Sequence, residues 1–260
     1  MSQVVSGTRS PRVAEAVNEV RTAVWTARQS GLKIGFVPTM GALHVGHVSL
    51  IEKARAECGF VVVSIFVNPT QFGPNEDFNR YPRPRETDLQ ICGDAGADLV
   101  FYPTVETMYP AGHRTFVEVA GLSDILEGAI RPGHFRGVAT VVTKLFNIVQ
   151  PDVAVFGKKD YQQLMVIRRM VQQMALPIDI VGVETRRADD GLALSSRNGY
   201  LSEDERAEAV QLSLALKALA SSVKVGVMRG SIDVPALASH QLTERLDRVL
   251  LHPLFGLPIF

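Results

Sequence analysis

Pro38-Thr39-Met40-Gly41-Ala42-Leu43-His44-Val45-Gly46-His47 follows a short apolar run, Lys33–Val37, and opens a helical stretch, His47–Glu57. A turn from strand to helix at this point is a phosphate site in outline. A helix N-terminus offers backbone N–H groups and partial positive charge. Gly41 and Gly46 permit close approach of a nucleobase or phosphate. His44 and His47 are three residues apart, so one helical turn faces both the same way. Two imidazoles so placed can donate to phosphate oxygens as charge builds during transfer. A zinc reading of the pair requires a third ligand, and none is evident from spacing.

Outward from this stretch, strands and helices alternate. Arg12–Gln29 reads as an amphipathic helix, with Val13, Ala16, Val17, Val20 and Val24 near helical spacing and Gly31 as its stop. Phe60–Val67, Asp98–Tyr102, Val153–Phe156 and Ile178–Val183 read as strands, and Thr115–Val119 as a weaker one. Pro84–Ala95, Gly137–Val149 and Tyr161–Met174 read as helices. Apolar strands without alternation predict burial on both faces, and their alternation with helices predicts a parallel sheet. The fold class is therefore α/β, a Rossmann-like parallel sheet with flanking helices, over 1–184. From about Arg186 the character changes to a polar loop and then to helical patterns at Ser202–Ser222 and Val234–Leu251, giving a smaller helical domain at 185–260.

Ligands of such sheets bind beyond the carboxyl ends of the strands. The chemically distinctive residues fall there: Pro38 to His47, Asn68 to Phe72, and Gly157 to Asp160. Asn68 and Gln71 are neutral donors and acceptors. Lys159 can reach phosphate as a point charge, and Asp160 can accept from ribose or cap the following helix.

Composition narrows the function classes. Among 260 residues, Lys plus Arg and Asp plus Glu number 27 each, so nothing steers the whole chain to nucleic acid. Cys58 and Cys92 form no CxxC pair and read as reduced thiols. Met1 to Arg12 is polar with no apolar signal core, and no apolar run approaches the ~18 residues of a membrane span, so a cytoplasmic, non-membrane protein is expected.

His44-Val45-Gly46-His47 resembles the HIGH signature of the nucleotidyltransferase superfamily. The wider pattern is similar to one branch, the pantothenate synthetases, in six blocks. They are Pro38–His44, Val67–Phe72, Arg80–Arg83, Arg131–Val138, Phe156–Gln163 and Leu194–Asn198. Together they run in family order between about Gly31 and Ala209. The resemblance implies an ATP-dependent ligase that joins pantoate to β-alanine through pantoyl adenylate, with Mg2+ accompanying ATP and with a homodimer as the assembly.

By the same resemblance, His44, His47, Lys159, Ser195, Ser196 and Arg197 stabilise phosphate charge. Met40, Gly41, Gly46, Gly157, Asp160, Arg186 and Leu194 complete the ATP site. Gln71 and Gln163, with Asn68, Tyr81, Glu127, Arg131 and His134, serve pantoate or β-alanine. Asp88 matches an acidic position associated with Mg2+. Lys158 stands where the family commonly has Glu, and is expected to add positive charge near the nucleotide.

A small antiparallel sheet implied by the resemblance is not found after Leu254–Phe260. On that reading 185–260 is an incomplete lid, and part of the adenylate is expected to be lost to water. Two alternatives stay open here: another HIGH-motif nucleotidyltransferase, and a ligand-binding form with impaired catalysis.

Overall fold

The computed structural model describes residues 10–229, with side chains described to residue 222. The helical pattern at Val234–Leu251, the apolar segment Leu254–Phe260 and the residues before Ser10 lie outside the described residues. The chain divides into two compact units, Met1–Glu184 and Thr185–Phe260.

The first unit is a six-stranded sheet, all parallel. Its strands are β1 (Arg12–Ala14), β2 (Ile34–Thr39), β3 (Phe60–Ile65), β4 (Leu99–Phe101), β5 (Val153–Gly157) and β6 (Asp179–Val183), in the order β1-β4-β3-β2-β5-β6. Helices α1 (Val17–Gln29), α2 (Val45–Glu57), α3 (Arg85–Asp94), α6 (His134–Val149) and α7 (Tyr161–Gln173) accompany it. Two one-turn helices, α4 (Val105–Met108) and α5 (Glu127–Ile130), lie in its loops.

Neighbouring residues of one strand go to opposite cores, which is why the strands read as unbroken apolar runs. Val62, Leu99 and Phe101 join one cluster with Phe36, Phe146 and Leu164; Val61, Val63 and Val100 join the other with Val37, Ile51 and Ala54. Cys58 and Cys92 are free, buried members of this second layer, and burial pushes the Cys92 thiol up to about 12.

The topology fixes where a ligand can sit. From β2 the chain proceeds outward through β3 to β4, then returns to place β5 on the other side of β2. The carboxyl ends of β2 and β5 therefore flank the switch point, where helices depart on either side and leave a crevice. The turn after β2 carries Pro38–His47, the turn after β5 carries Gly157–Asp160, and β3, next to β2, delivers Asn68–Gln71.

Two expectations are corrected. Arg12–Ala14 is not the first turn of a helix but an edge strand parallel to β4, with Arg12 N–H donating to the Asp98 carbonyl at 3.0 Å. The Glu19 side chain accepts from the Glu15 and Ala16 amides at 3.0 Å each, closing α1 at its own start and releasing the preceding residues to the sheet. Thr115–Val119 is not a strand; Thr140 Oγ1 of α6 accepts from Val117 N–H at 2.9 Å, the bond a ladder would have used.

In the second unit Arg187 and Ala193 form an antiparallel bridge, Asn198–Tyr200 makes a 3-10 turn, and α8 (Glu203–Arg229) follows. Arg206 pairs with Asp190 at 2.6 Å, tying the helix to its own loop. Among the described residues no helix is long and apolar enough to cross a membrane.

Candidate active site

The turn after β2 is held from within. Thr39 Oγ1 donates to the Ser64 carbonyl (2.8 Å) and accepts from Gly41 N–H (3.2 Å). Gly41 has φ +86°, and a Cβ there would stand 2.9 Å from Asp88 Oδ2, so glycine is required on both counts. Ala42 also takes a positive φ, +50°. Its N–H donates to Asp88 Oδ2 (2.8 Å), and the Leu43 N–H to Oδ1 (2.7 Å). Asp88, on α3, is 1% exposed; burial pushes its carboxyl up against the opposing pull of these two amides.

Both histidines are oriented by main-chain amides. Gly46 N–H donates to His44 Nδ1 (3.1 Å), and His44 N–H donates to His47 Nδ1 (3.2 Å). An Nδ1 that accepts leaves the proton of a neutral imidazole on Nε2. Both rings, 4.2 Å apart, thus carry Nε2–H donors. Burial, then the charge of Lys159, lowers His44 to about 4; burial, then His44 and Lys159, lowers His47 to about 3. At neutral pH the pair donates without carrying charge.

These bonds revise the expected phosphate site. The amides of Gly41, Ala42, Leu43, His44 and Gly46 are each committed to a neighbouring group of the fold. The donors this turn has to offer a ligand are thus the imidazoles of His44 and His47 rather than a row of free N–H groups.

Lys159, in the turn after β5, lies 3.5 Å from Asp160 and exerts its charge on His44, His47 and Glu127. The Asp160 side chain does not cap α7, although the residue stands at its N-cap. Lys158 pairs instead with Glu184 beyond β6, so the extra positive charge expected there is matched.

Gln71 is presented by a 3-10 turn, Pro69–Gln71, after β3. Asn68, 1% exposed, is fully occupied: Oδ1 accepts from Tyr109 Oη (2.7 Å) and Thr70 Oγ1 (2.9 Å), and Nδ2 donates to Gln71 Oε1 (3.0 Å) and the Gly137 carbonyl (3.2 Å). That fixes the Gln71 amide with Nε2 turned to the weakly accepting Met40 sulfur at 3.1 Å. Asn68 is thus a support for Gln71. Tyr81 packs edge-on to Phe72, which packs likewise on Phe78. Gln163 is half-buried on the first turn of α7.

Glu127, Arg131 and His134 converge, with Glu76 as a member that the sequence reading did not single out. Arg131 Nε and Nη2 grip the Glu76 carboxylate, Nη1 donates to Glu127 Oε1 (2.8 Å) and to His134 Nε2 (3.2 Å), and Nη2 donates to the Gln71 carbonyl (3.3 Å). His134 Nδ1 donates to that same carbonyl at 2.8 Å. Burial, then Arg131, lowers His134 to about 4, while burial raises Glu127 to about 7 against the attraction of Arg131. Burial works to raise Glu76, but its bonds to Arg131 outweigh this and hold it down.

Gln162 was also missed in favour of its neighbour. Its Nε2 donates to the Leu122 and Ile125 carbonyls (3.0 and 2.8 Å), and Oε1 accepts from Glu127 N–H (3.2 Å). It thereby clamps both sides of Leu126, whose φ of +50° is strained for a leucine. Its spacing was the available signal: Gln162 precedes the buried Val166 and Met170 by one and two helical steps of four.

Among the described residues no group of three or more His, Cys, Asp or Glu is arranged to hold a metal, and both Asp88 oxygens hold main-chain amides. The donor set does not fit a side-chain cation site at Asp88. In the second unit, Leu194 N–H donates to the Arg186 carbonyl (3.0 Å), and Ser195 Oγ accepts from Arg197 N–H (3.3 Å); Ser196 is half-buried beside them.

The model of the Pantoate-beta-alanine ligase family matches residues 12–251. A pantothenate synthetase of Shewanella sp. (strain ANA-3) is 56% identical over 225 residues, 86% of this chain and 80% of that one. One from Moorella thermoacetica is 56% identical over 84% of this chain and 77% of its own. The crystal structure of the Thermus thermophilus enzyme superposes with a TM-score of 0.80 at 51% identity, covering 92% of this chain and 83% of that one. That of the Francisella tularensis ligase, complexed with beta-gamma ATP and beta-alanine, superposes at 0.74 with 41% identity, covering 80% and 79%.

Proposed function

The chain belongs to the pantoate-beta-alanine ligase family, and on that premise we propose how its residues divide the work of the reaction. The activity is ATP-dependent ligation of pantoate to β-alanine, forming a carbon–nitrogen bond. In the proposed first step a pantoate carboxylate oxygen bonds to the α-phosphorus, the bond to the bridging oxygen breaks, and pyrophosphate departs. In the second the amine of β-alanine bonds to the activated carbonyl carbon, AMP leaves with the former carboxylate oxygen, and the ammonium proton goes to solvent.

The observation that supports this division is the neutral pair of Nε2–H donors, His44 and His47, within the field of Lys159 at the β2–β5 switch point. Neutral donors and one lysine stabilise charge that develops on phosphoryl oxygens, and they need no rearrangement to do so. Gln71, its Nε2 on no stronger acceptor than the Met40 sulfur, is proposed to donate to pantoate, with Gln163 as the second amide. Asp160 is proposed to take the ribose hydroxyls. Ser195, Ser196 and Arg197, with Arg186 and Leu194, are assigned to the triphosphate on the family resemblance. Mg2+ is proposed to accompany ATP on its phosphate oxygens, where small hard cations need few protein ligands. A cytoplasmic homodimer is the proposed setting, and light scattering of the purified protein tests the dimer.

Pyrophosphate–ATP exchange tests the reaction order. Exchange is expected to require pantoate and to proceed without β-alanine. Equal exchange in the absence of pantoate, or none in its presence, overturns the adenylate route.

A further inference from the structure

By resemblance Arg131 and His134 belong to the substrate site, where a basic residue invites assignment to a substrate carboxylate. Their bonds argue otherwise. A guanidinium has five N–H donors, and those of Arg131 are all occupied: one Nε–H and one Nη2–H on Glu76, one Nη1–H each on Glu127 and His134, and the last Nη2–H on the Gln71 carbonyl. His134 has no nitrogen left either. A carbonyl only accepts, so Nδ1 carries the proton toward Gln71, and Nε2 accepts from Arg131. Both side chains are under a tenth exposed. A substrate carboxylate could engage Arg131 only by displacing one of these partners, Glu76, Glu127, His134 or the Gln71 carbonyl.

What the two residues share is the Gln71 carbonyl, which accepts from both. The Gln71 amide is fixed separately by Asn68. The residue is therefore held at two points, main chain and side chain, with only the weakly accepting Met40 sulfur on Nε2. Gly137 lets this happen: a Cβ there would stand 2.2 Å from the Thr70 carbonyl oxygen, so α6 can press His134 against the turn only with glycine at that position.

We propose that Arg131 and His134 touch no substrate and are positioning residues, locking the Gln71 peptide so that its amide meets pantoate, and that Glu76 sets the Arg131 fork. The inference rests on the assignment of Gln71 to pantoate.

The test is a double-mutant cycle on the full chain with Glu76→Gln, Gln71→Ala and the pair, with Arg131→Lys as a second probe of the same fork. The KM values for pantoate, ATP and β-alanine are measured for each variant, and thermal melts check folding. Glu76→Gln is nearly isosteric, and its side chain is 18% exposed, so the fold is expected to persist.

Gln71→Ala is expected to raise the KM for pantoate and leave that for ATP. Glu76→Gln and Arg131→Lys should each raise the pantoate KM ~3–10-fold, with the β-alanine KM unmoved and with no further rise when combined with Gln71→Ala. Three results overturn the inference: a change in β-alanine KM on loosening Arg131, a pantoate KM untouched by Glu76→Gln and Arg131→Lys, or effects that multiply independently in the double variant. If Gln71→Ala itself leaves the pantoate KM at the wild-type value, the assignment of Gln71 is wrong, and the inference falls with it.

Discussion

Removing the Asp88 carboxylate should loosen the turn after β2, where we propose that ATP binds. Asp88→Ala deprives the Ala42 and Leu43 amides of acceptors at 2.8 and 2.7 Å, in a place where water is largely excluded. Hydrogen bonds to a charged acceptor contribute ~1.5–3 kcal/mol each, so the two are worth ~3–6 kcal/mol gross. Burial of the carboxylate opposes this, as the upward push on its pKa shows, so a net loss near the lower end, ~3 kcal/mol, is expected. Asp88→Asn keeps one acceptor oxygen but turns an amide NH2 toward the other N–H, and should cost ~2 kcal/mol. The functional loss should be larger than the change in fold stability suggests, because His44 and His47 follow directly on this turn. A misplacement of about 1 Å can cost ~10²-fold in rate. Hydrogen–deuterium exchange of the peptide spanning Met40–Val48 reads the two bonds directly, and ATP affinity reads their consequence. Faster exchange confined to that peptide, with β5 still protected and ATP binding weakened, is the expected result. Exchange and ATP affinity both at wild-type values in Asp88→Ala would refute the reasoning.

His44→Ala and Lys159→Ala should each lower the single-turnover adenylation rate ~10²-fold while leaving the far-ultraviolet circular dichroism intact; wild-type rates reject their role as phosphate donors. Gly137→Ala should cost ~1–3 kcal/mol in a thermal or urea melt and weaken pantoate more than ATP, since the new methyl collides with the Thr70 carbonyl rather than with a flexible side chain. Stability should also depend on pH with a definite sign. His44, His47 and His134 sit at about 4, 3 and 4, below the ordinary 6.5, so the folded chain binds fewer protons there and loses stability as pH falls from 6.5 toward 4. Glu127, raised to about 7, binds its proton more readily when folded and offsets one of the three between pH 7 and its ordinary 4.5. Denaturant melts between pH 7 and 4.5 should show a net decline toward acid, and a rise would contradict the neutral, buried histidines.

Much of this protein is written locally. Strand–helix alternation, the apolar runs of β2 to β5 and the clustering of His44, Gln71 and Lys159 just past strand ends are properties of neighbours in sequence, set by side-chain periodicity and by Gly and Pro punctuation. The family could be read from its six blocks for the same reason. The edge strand Arg12–Ala14 was not legible, because three residues pair there only when β4, far along the chain, supplies the partner. Tertiary structure also decided which polar side chains are already committed to partners within the fold. Asp88 reads by resemblance as an acidic position associated with Mg2+, and only the fold brings the Ala42 and Leu43 amides to its two oxygens. Arg131 reads by resemblance as a substrate residue, and only the fold shows Glu76, Glu127, His134 and Gln71 at its five donors. Gln162, rather than Gln163, turns out to be the amide that clamps the loop of Glu127. Donor and acceptor types are fixed by the sequence. Whether a given N–H remains available to a ligand depends on partners brought from distant parts of the chain, and only the folded backbone determines which of those lie within hydrogen-bond reach.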